Sequence, residues 1–386
     1  MEQILDKNRQ GNVIKPYYPA ILLVLLFITE AYSKIVHFSF GETPVLLQVT
    51  KGLILAGFGS YILINQPRYL WLLGGLFVSF LIGQFSLLNS VSKEAGITFI
   101  KLIYPLVLLL FFNTYRLSDK QKKALFLVFE LIMLVNSIII GVGLLFNIHF
   151  FSSYLYGSRF GFNGLFITSA TGSYVYCLTL IYLLTKYKKA IFKRIPNLII
   201  IAAMFYVGTK VSYLFLGCFF ATYFWKYSRL SKKMIVSLLL VMGMLGLYVF
   251  FFKYGIFNKI RQEDGLLSSL MSYRNDLLLE HTLPYIQEHW GLFNYLFGGI
   301  SDITTKSQIE FIDIFYILGV FGGLLYYYIF YKVFLVVKVE THIAILLLAV
   351  FIIVLFAGNF FSYPSIAIYL IVLREYLKLD KQNQHI

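Results

Sequence analysis

Apolar residues dominate the chain in runs of mostly 17 or more, separated by short basic clusters. That is the pattern of a polytopic helical membrane protein. The runs predict an all-α fold with about 12 transmembrane helices, at 18–37, 44–64, 69–88, 96–112, 123–147, 164–185, 196–208, 211–226, 234–252, 308–331, 342–360 and 364–378. Twelve spans put both termini on one side.

The run from 195 to 224, IPNLIIIAAMFYVGTKVSYLFLGCFFATYF, admits two readings. As one helix it would be about 45 Å long, against a hydrocarbon core of roughly 30 Å. As two short, broken spans it would turn at Gly208-Thr209-Lys210. Charge decides between them. Two spans keep KYKKAIFKR (186–194) and WKYSRLSKK (225–233) on the same inner side and leave 22 of the 33 Lys and Arg in cytoplasmic segments. One helix would move a cluster outside, against the positive-inside rule. The broken pair is therefore expected, with Lys210 at its outer junction, the Gly208-Thr209-Lys210 turn lining an outward cavity, and both termini cytoplasmic.

Composition adds little to this picture. Hydrophobic residues make up 59% of the chain and charged ones 13%, which leaves no sizeable soluble domain and no call for a nucleic-acid partner. The whole chain, 1–386, reads as one integral membrane domain. Many of the 30 Tyr fall near span ends, where an interfacial ring is at home. The first 16 residues carry Lys7, Arg9 and Lys15, and the apolar run after them lacks a small-residue cleavage site. It is expected to stay as a first span. Cys177 and Cys218 lie inside apolar runs and read as packing residues.

This topology leaves one long extracytoplasmic loop, 253–306. Leu, Met and Ile at helical spacings in SSLMSYRNDLLLEHTLPYIQEHW predict short helices over the outer mouth of the bundle. Its only histidines, His281 and His289, lack the i, i+4 spacing of a helical metal pair and stand as candidate proton carriers. Glu263-Asp264-Gly265 reads as a turn rather than a metal motif.

The chemistry-bearing residues gather on the outer side. Glu310 and Asp313 open the span QIEFIDIFYILGVFGG and share a helix face. They are either a helix-start device favoured by the dipole or catalytic carboxylates facing a cavity. Arg159 in YGSRFGFNG, Lys210 and Arg274 in SYRNDLL are outward cations beside span ends, suited to phosphate oxygens. Arg261 and Lys306 sit among ordinary polar residues and read as solvated charges. Lys51 and Lys101 can snorkel, and Lys101 can also extend the phosphate cluster. Glu30 and Lys34, four apart in the first span, are expected to neutralise one another.

Four features, RFGFNG before a span, the broken spans around VGTKVSYLF, SYRNDLL in a late outer loop and EFIDIFYILGVFGG opening the next span, together resemble the Wzy-type polysaccharide polymerases. That family belongs to a larger group that also holds the O-antigen ligases. The resemblance spans roughly residues 155–330. It implies a glycosyltransferase in the bacterial plasma membrane, acting outside the cytoplasm on oligosaccharide repeat units carried by undecaprenyl pyrophosphate. The growing chain would pass from its lipid pyrophosphate to a hydroxyl of another lipid-linked unit, with a chain-length regulator as a further partner. The ligases carry a histidine about ten residues before the first glycine of the GxxG at this span. Here the glycines are Gly319 and Gly322 and that residue is Ile309, which favours polymerase over ligase.

The chemistry needs a base for the incoming hydroxyl and positive charge for the departing pyrophosphate. Glu310 or Asp313 can supply the first, with Glu310 one turn closer to the outer surface. Arg159, Lys210, Arg274 and Lys101 can supply the second. A metal-independent reaction without cofactor is the simpler expectation. A ligase-like transferase or a flippase for lipid-linked oligosaccharides stays open as an alternative, although no half-repeat of the kind transporters show is visible.

Overall fold

The computed structural model describes residues 17–41, 45–154, 159–227 and 255–383, with isolated positions between 243 and 253. The basic N-terminal segment, Arg229 in the second basic cluster and most of the span expected at 234–252 lie outside the described residues.

The described residues form helices and connecting loops without a strand; Ser152 and Phe162 make an isolated bridge. In chain order the helices are α1 (Tyr18–Phe40), α2 (Val45–Asn65), α3 (Pro67–Leu88), α4 (Lys93–Thr114), α5 (Asp119–Leu145), α6 (Ser169–Tyr187), α7 (Ile195–Tyr206) and α8 (Lys210–Tyr227). They continue as α9 (Gly255–Met271), α10 (Arg274–Leu277), α11 (Leu283–His289), α12 (Leu292–Phe297), α13 (Glu310–Phe330), α14 (Thr341–Ala357) and α15 (Pro364–Asn383). Among the described residues, six helices are long and apolar enough to cross a bilayer: α1 to α5, and α13 with the turn that extends it to Leu335. α7 and α14 are shorter and apolar.

Local chemistry explains where helices start. The hydroxyls of Ser92, Ser118 and Thr168 each accept the backbone N–H three residues on, and Gln121 completes a capping box with Ser118. The cap at Thr168 delays α6 to Ser169, five residues beyond the expected 164, because Gly164 (φ +65°) turns the preceding loop. Large apolar side chains such as Leu53, Ile64, Trp71 and Leu127 point away from the bundle. So much outward apolar surface suits lipid and not water.

α6 and α15 form the centre of the bundle, each buried almost throughout and packed against the other. Not all tyrosines are interfacial: Tyr104, Tyr174, Tyr176, Tyr182, Tyr316, Tyr326 and Tyr369 are fully buried core residues. Several of their hydroxyls are satisfied inside, Tyr176 by Asn136 and Ser137 and Tyr182 by Glu130.

α7 and α8 form a short hairpin. The Tyr223 hydroxyl at the far end of α8 donates to the carbonyl of Lys189 (3.2 Å), in the short turn Lys188–Lys193 that leads from α6 into α7, and Phe192 of the same turn stacks on Phe220. Lys188 and Lys189 of the first basic cluster and Lys226, the described cation of the second, therefore share one end of the bundle, as the charge pattern predicts. Lys188 (3.8 Å) and Lys226 (3.5 Å) both reach Glu340 there, and Lys188 also reaches Asp380 (3.8 Å).

The turn of the hairpin is satisfied by protein. Phe162 N–H donates to the Tyr206 carbonyl and the Ser153 hydroxyl to that of Val207 (2.7 Å), while Thr209 caps α8. Gly208 (φ +75°) and Gly161 make this possible, since a Cβ on either would collide with the other segment's backbone. RFGFNG and VGTK, far apart in sequence, thus meet backbone to backbone.

α13 is kinked at Gly319 (φ +66°) for a related reason. The end of α12 inserts there, and a Cβ on Gly319 would strike the backbone of Phe297 and Gly298. The Ser79 hydroxyl takes up the freed Leu318 carbonyl (2.9 Å).

Candidate functional site

At the end of the bundle opposite the Lys188 and Lys226 cluster, a cavity of about 210 Å³ opens where the long loop runs into α13. Its walls are Ile303, Thr304, Lys306, Gln308, Glu310 and Asp313 from one segment, and Asn359 and Ser362 from the loop between α14 and α15.

Both carboxylates are buried, Glu310 at 3% exposure and Asp313 at 5%. One turn apart on the first turn of α13, they point into the same space but are held differently. Glu310 accepts the backbone N–H groups of Phe360 and Ser362, one on each oxygen, so its side chain ties α13 to the α14–α15 loop. Asp313 accepts the Ser307 N–H (3.0 Å) and hydroxyl (2.9 Å) on Oδ1 alone. Its Oδ2 faces the Lys306 ammonium at 3.9 Å.

The loop reached by Glu310 is also held from below. The Tyr174 hydroxyl of α6 donates to the Gly358 carbonyl (2.7 Å), and a Cβ on Gly358 would collide with the Gln308 carbonyl.

Arg274 stands beside the cavity, within electrostatic range of Glu310, Asp313, Tyr174 and Tyr363. One Nη donates to the Met271 carbonyl (3.1 Å), while Nε is buried without a partner. Burial lowers the guanidinium pKa from its ordinary value, and the neighbouring acids oppose that shift. An arginine in this state has donors to spare for an anion.

The remaining expected site residues are more dispersed. Lys210 spends its ammonium on the carbonyls of Ser269 and Leu270 and the Ser272 hydroxyl, at the C-terminal end of α9, where a cation suits the helix dipole. It also lies 3.8 Å from the centre of the Phe257 ring, which the exposed Arg159 approaches as well, at 5.5 Å. Lys210 is within electrostatic range of both Arg159 and Arg274, so the three form one basic margin. Lys101 is exposed on α4, within range of Lys306. His281 and His289 are exposed on the loop helices and do not line the cavity; His289 stacks on Tyr285.

Three expectations change. Lys306, expected to be a solvated charge, has a side chain only 17% exposed and lines the cavity. Thr209, expected to face an outward cavity, is buried against Ser173 and Ser212. Lys34 makes no direct ion pair with Glu30. It donates to Asn163 Oδ1, the Gly164 carbonyl (2.7 Å) and the Ser152 carbonyl (3.3 Å), clamping the loop that carries Arg159, while Glu30 faces Lys51 and Ser365. Residues that the pattern of charges did not reveal are Gln308, Asn359 and Ser362. The Gly358-Asn359 dipeptide before FFSYP was their one local signal, a turn between two apolar runs.

No family model matches this chain, and no curated protein or solved structure is significantly similar to it.

Proposed function

We propose that this chain is a membrane glycan polymerase. It would transfer a growing oligosaccharide from a lipid pyrophosphate carrier to a hydroxyl of another lipid-linked unit on the outer face of the bacterial plasma membrane. In this reading the chain crosses the membrane twelve times, and the end bearing Lys188, Lys226 and Asp380 is cytoplasmic. The observation that carries the proposal is the polar cavity walled by Glu310, Asp313 and Lys306, with Arg274 beside it.

Transfer breaks the bond between the anomeric carbon and the pyrophosphate oxygen and forms one to the acceptor oxygen. The acceptor proton needs a base and the leaving pyrophosphate needs positive charge. Asp313 fits the base better than Glu310, because Oδ2 is free of hydrogen bonds whereas both oxygens of Glu310 hold backbone amides. Arg274, with its unpartnered Nε, fits the leaving group, and Lys306 can share the charge. Arg159, Lys210 and Lys101 would then form the approach for a lipid-borne anion.

The test is ladder formation by purified protein in nanodiscs supplied with lipid-linked repeat units. Polymer from wild type that disappears in Asp313→Asn and Arg274→Ala, with folding intact, supports the reading. Absence of polymer from wild type, together with movement of the intact lipid-linked unit across a bilayer, would favour a flippase.

A further inference from the structure

We infer that the cavity between Gln308 and Asn359 is a subsite for a single sugar ring of the acceptor, and that the amides of these two residues set which sugar is accepted. The inference rests on the glycan-transfer reading and adds the ligand of this part of the site.

Charge and size argue for a sugar. Among the eight lining residues there is one cation, Lys306, against two carboxylates, so the interior itself offers no surplus of positive charge to an anion, and the leaving pyrophosphate belongs at the edge where Arg274 stands with Lys306. Only Ile303 is apolar, so a lipid tail has no surface there. What remains is a wall of amide, hydroxyl and carboxylate groups that suits a neutral ligand rich in hydroxyls. The volume of about 210 Å³ is far more than one water needs and lies below the roughly 300–1,000 Å³ of drug-sized sites. One ring fits where a whole repeat unit does not.

The backbone points to the same two residues. Among the described residues, seven other than glycine have left-handed φ, and four of them border this site: Ser272 and Tyr273 before Arg274, and Gln308 and Asn359 (both φ +60°) in the cavity wall. Such conformations cost of order 1–3 kcal/mol when the side chain is ill suited, and glutamine is not a residue that favours them. Glycine would remove that cost at either position, yet amides stand there. Neither side-chain amide has a hydrogen-bond partner among the described residues, so the donors and acceptors of both are available to a ligand in the cavity. Asp313 Oδ2 opens onto the same space, which places the base beside an acceptor hydroxyl held by the amides.

The experiment uses the lipid-linked repeat unit extracted from host cells lacking this chain, part of it stripped to free oligosaccharide by mild acid. Initial polymerisation rates in nanodiscs are compared for wild type, Gln308→Gly, Asn359→Gly and Gln308→Asn. Glycine keeps the left-handed backbone and removes only the amide. We expect each glycine variant to raise the acceptor KM about fivefold to tenfold, the worth of one or two lost hydrogen bonds, with kcat within about twofold and Tm unchanged or higher. Inhibition by the free oligosaccharide should weaken by the same factor, and Gln308→Asn should recover part of the loss. Farnesyl diphosphate, a sugar-free probe, should inhibit all variants equally. If glycine loosens the loop, Asn359→Asp keeps the shape, removes the amide donors and adds a negative charge beside Glu310 and Asp313; oligosaccharide inhibition should weaken there too. Wild-type KM and oligosaccharide inhibition in the glycine variants, or weakened inhibition by farnesyl diphosphate instead, would overturn the subsite. If wild type forms no ladder, the polymerase reading fails separately. The subsite then stands or falls on thermal protection by the oligosaccharide, which must be present in wild type and reduced in Asn359→Gly.

Discussion

Asp313 rests one carboxylate oxygen on the N–H and hydroxyl of Ser307 and turns the other toward the Lys306 ammonium, 3.9 Å away. Glu310, one turn earlier, has no such spare oxygen, since Phe360 and Ser362 N–H groups occupy both. Two acids that look alike in the sequence are thus separated into one held open and one used as a tie.

The pair should separate under isosteric substitution. Asp313→Asn is expected to keep the melting temperature within a few degrees and to lower kcat about 10²–10⁴-fold, the usual worth of a lost general base. Glu310→Gln turns an amide NH₂ toward a backbone N–H and loses a charge-assisted bond worth roughly 1.5–3 kcal/mol. A clear drop in Tm should therefore accompany any loss of activity. Thermal denaturation and ladder assays on both variants decide the matter; equal Tm and equal activity loss would dissolve the distinction.

Arg274 should not tolerate lysine. The guanidinium can keep its bond to the Met271 carbonyl and still present other N–H groups to an anion, whereas an ammonium is a single point of charge. Arg274→Ala is expected to reduce transfer about 10²–10³-fold, and Arg274→Lys to recover only a small part. Wild-type rates in Arg274→Lys would argue for plain charge rather than a fork.

The meeting of RFGFNG with the hairpin turn predicts that Gly208→Ala and Gly161→Ala destabilise the protein. Left-handed backbone alone costs alanine about 1–3 kcal/mol at Gly208, before the collision with the Phe160 carbonyl. Lys34→Met should loosen the same loop from the other side, because three loop oxygens lose their donor. Proteolysis at the 152–164 loop reads this directly: all three variants should be cut faster than wild type, and unchanged cutting would mean that the loop is held elsewhere.

Sidedness follows from the hairpin. Reporter fusions at Lys189 and Lys226 should give the same, cytoplasmic signal, and a fusion at Asp264 the opposite one. Lys189 and Lys226 on different sides would break the hairpin reading, since Tyr223 could not then reach the Lys189 carbonyl.

The all-helical class, the approximate positions of the helices among the described residues and the break at Gly208 were legible because they depend on local quantities: run length, hydropathy and the placing of Lys and Arg against a bilayer of fixed thickness. The sequence alone also led to the expectation that Glu310, Asp313 and Arg274 lie on one side, and in the structure the two acids line one cavity with Arg274 beside it. It could not tell the open acid from the tied one, because Ser307 lies near Asp313 in the chain while Phe360 and Ser362 reach Glu310 from 50 residues away. It hid Lys306 among polar neighbours, and it hid Gln308 and Asn359, which become a pair only when the α14–α15 loop folds against the start of α13. Burial and free hydrogen-bonding capacity belong to the space between segments, and that space exists only once tertiary packing has closed around it.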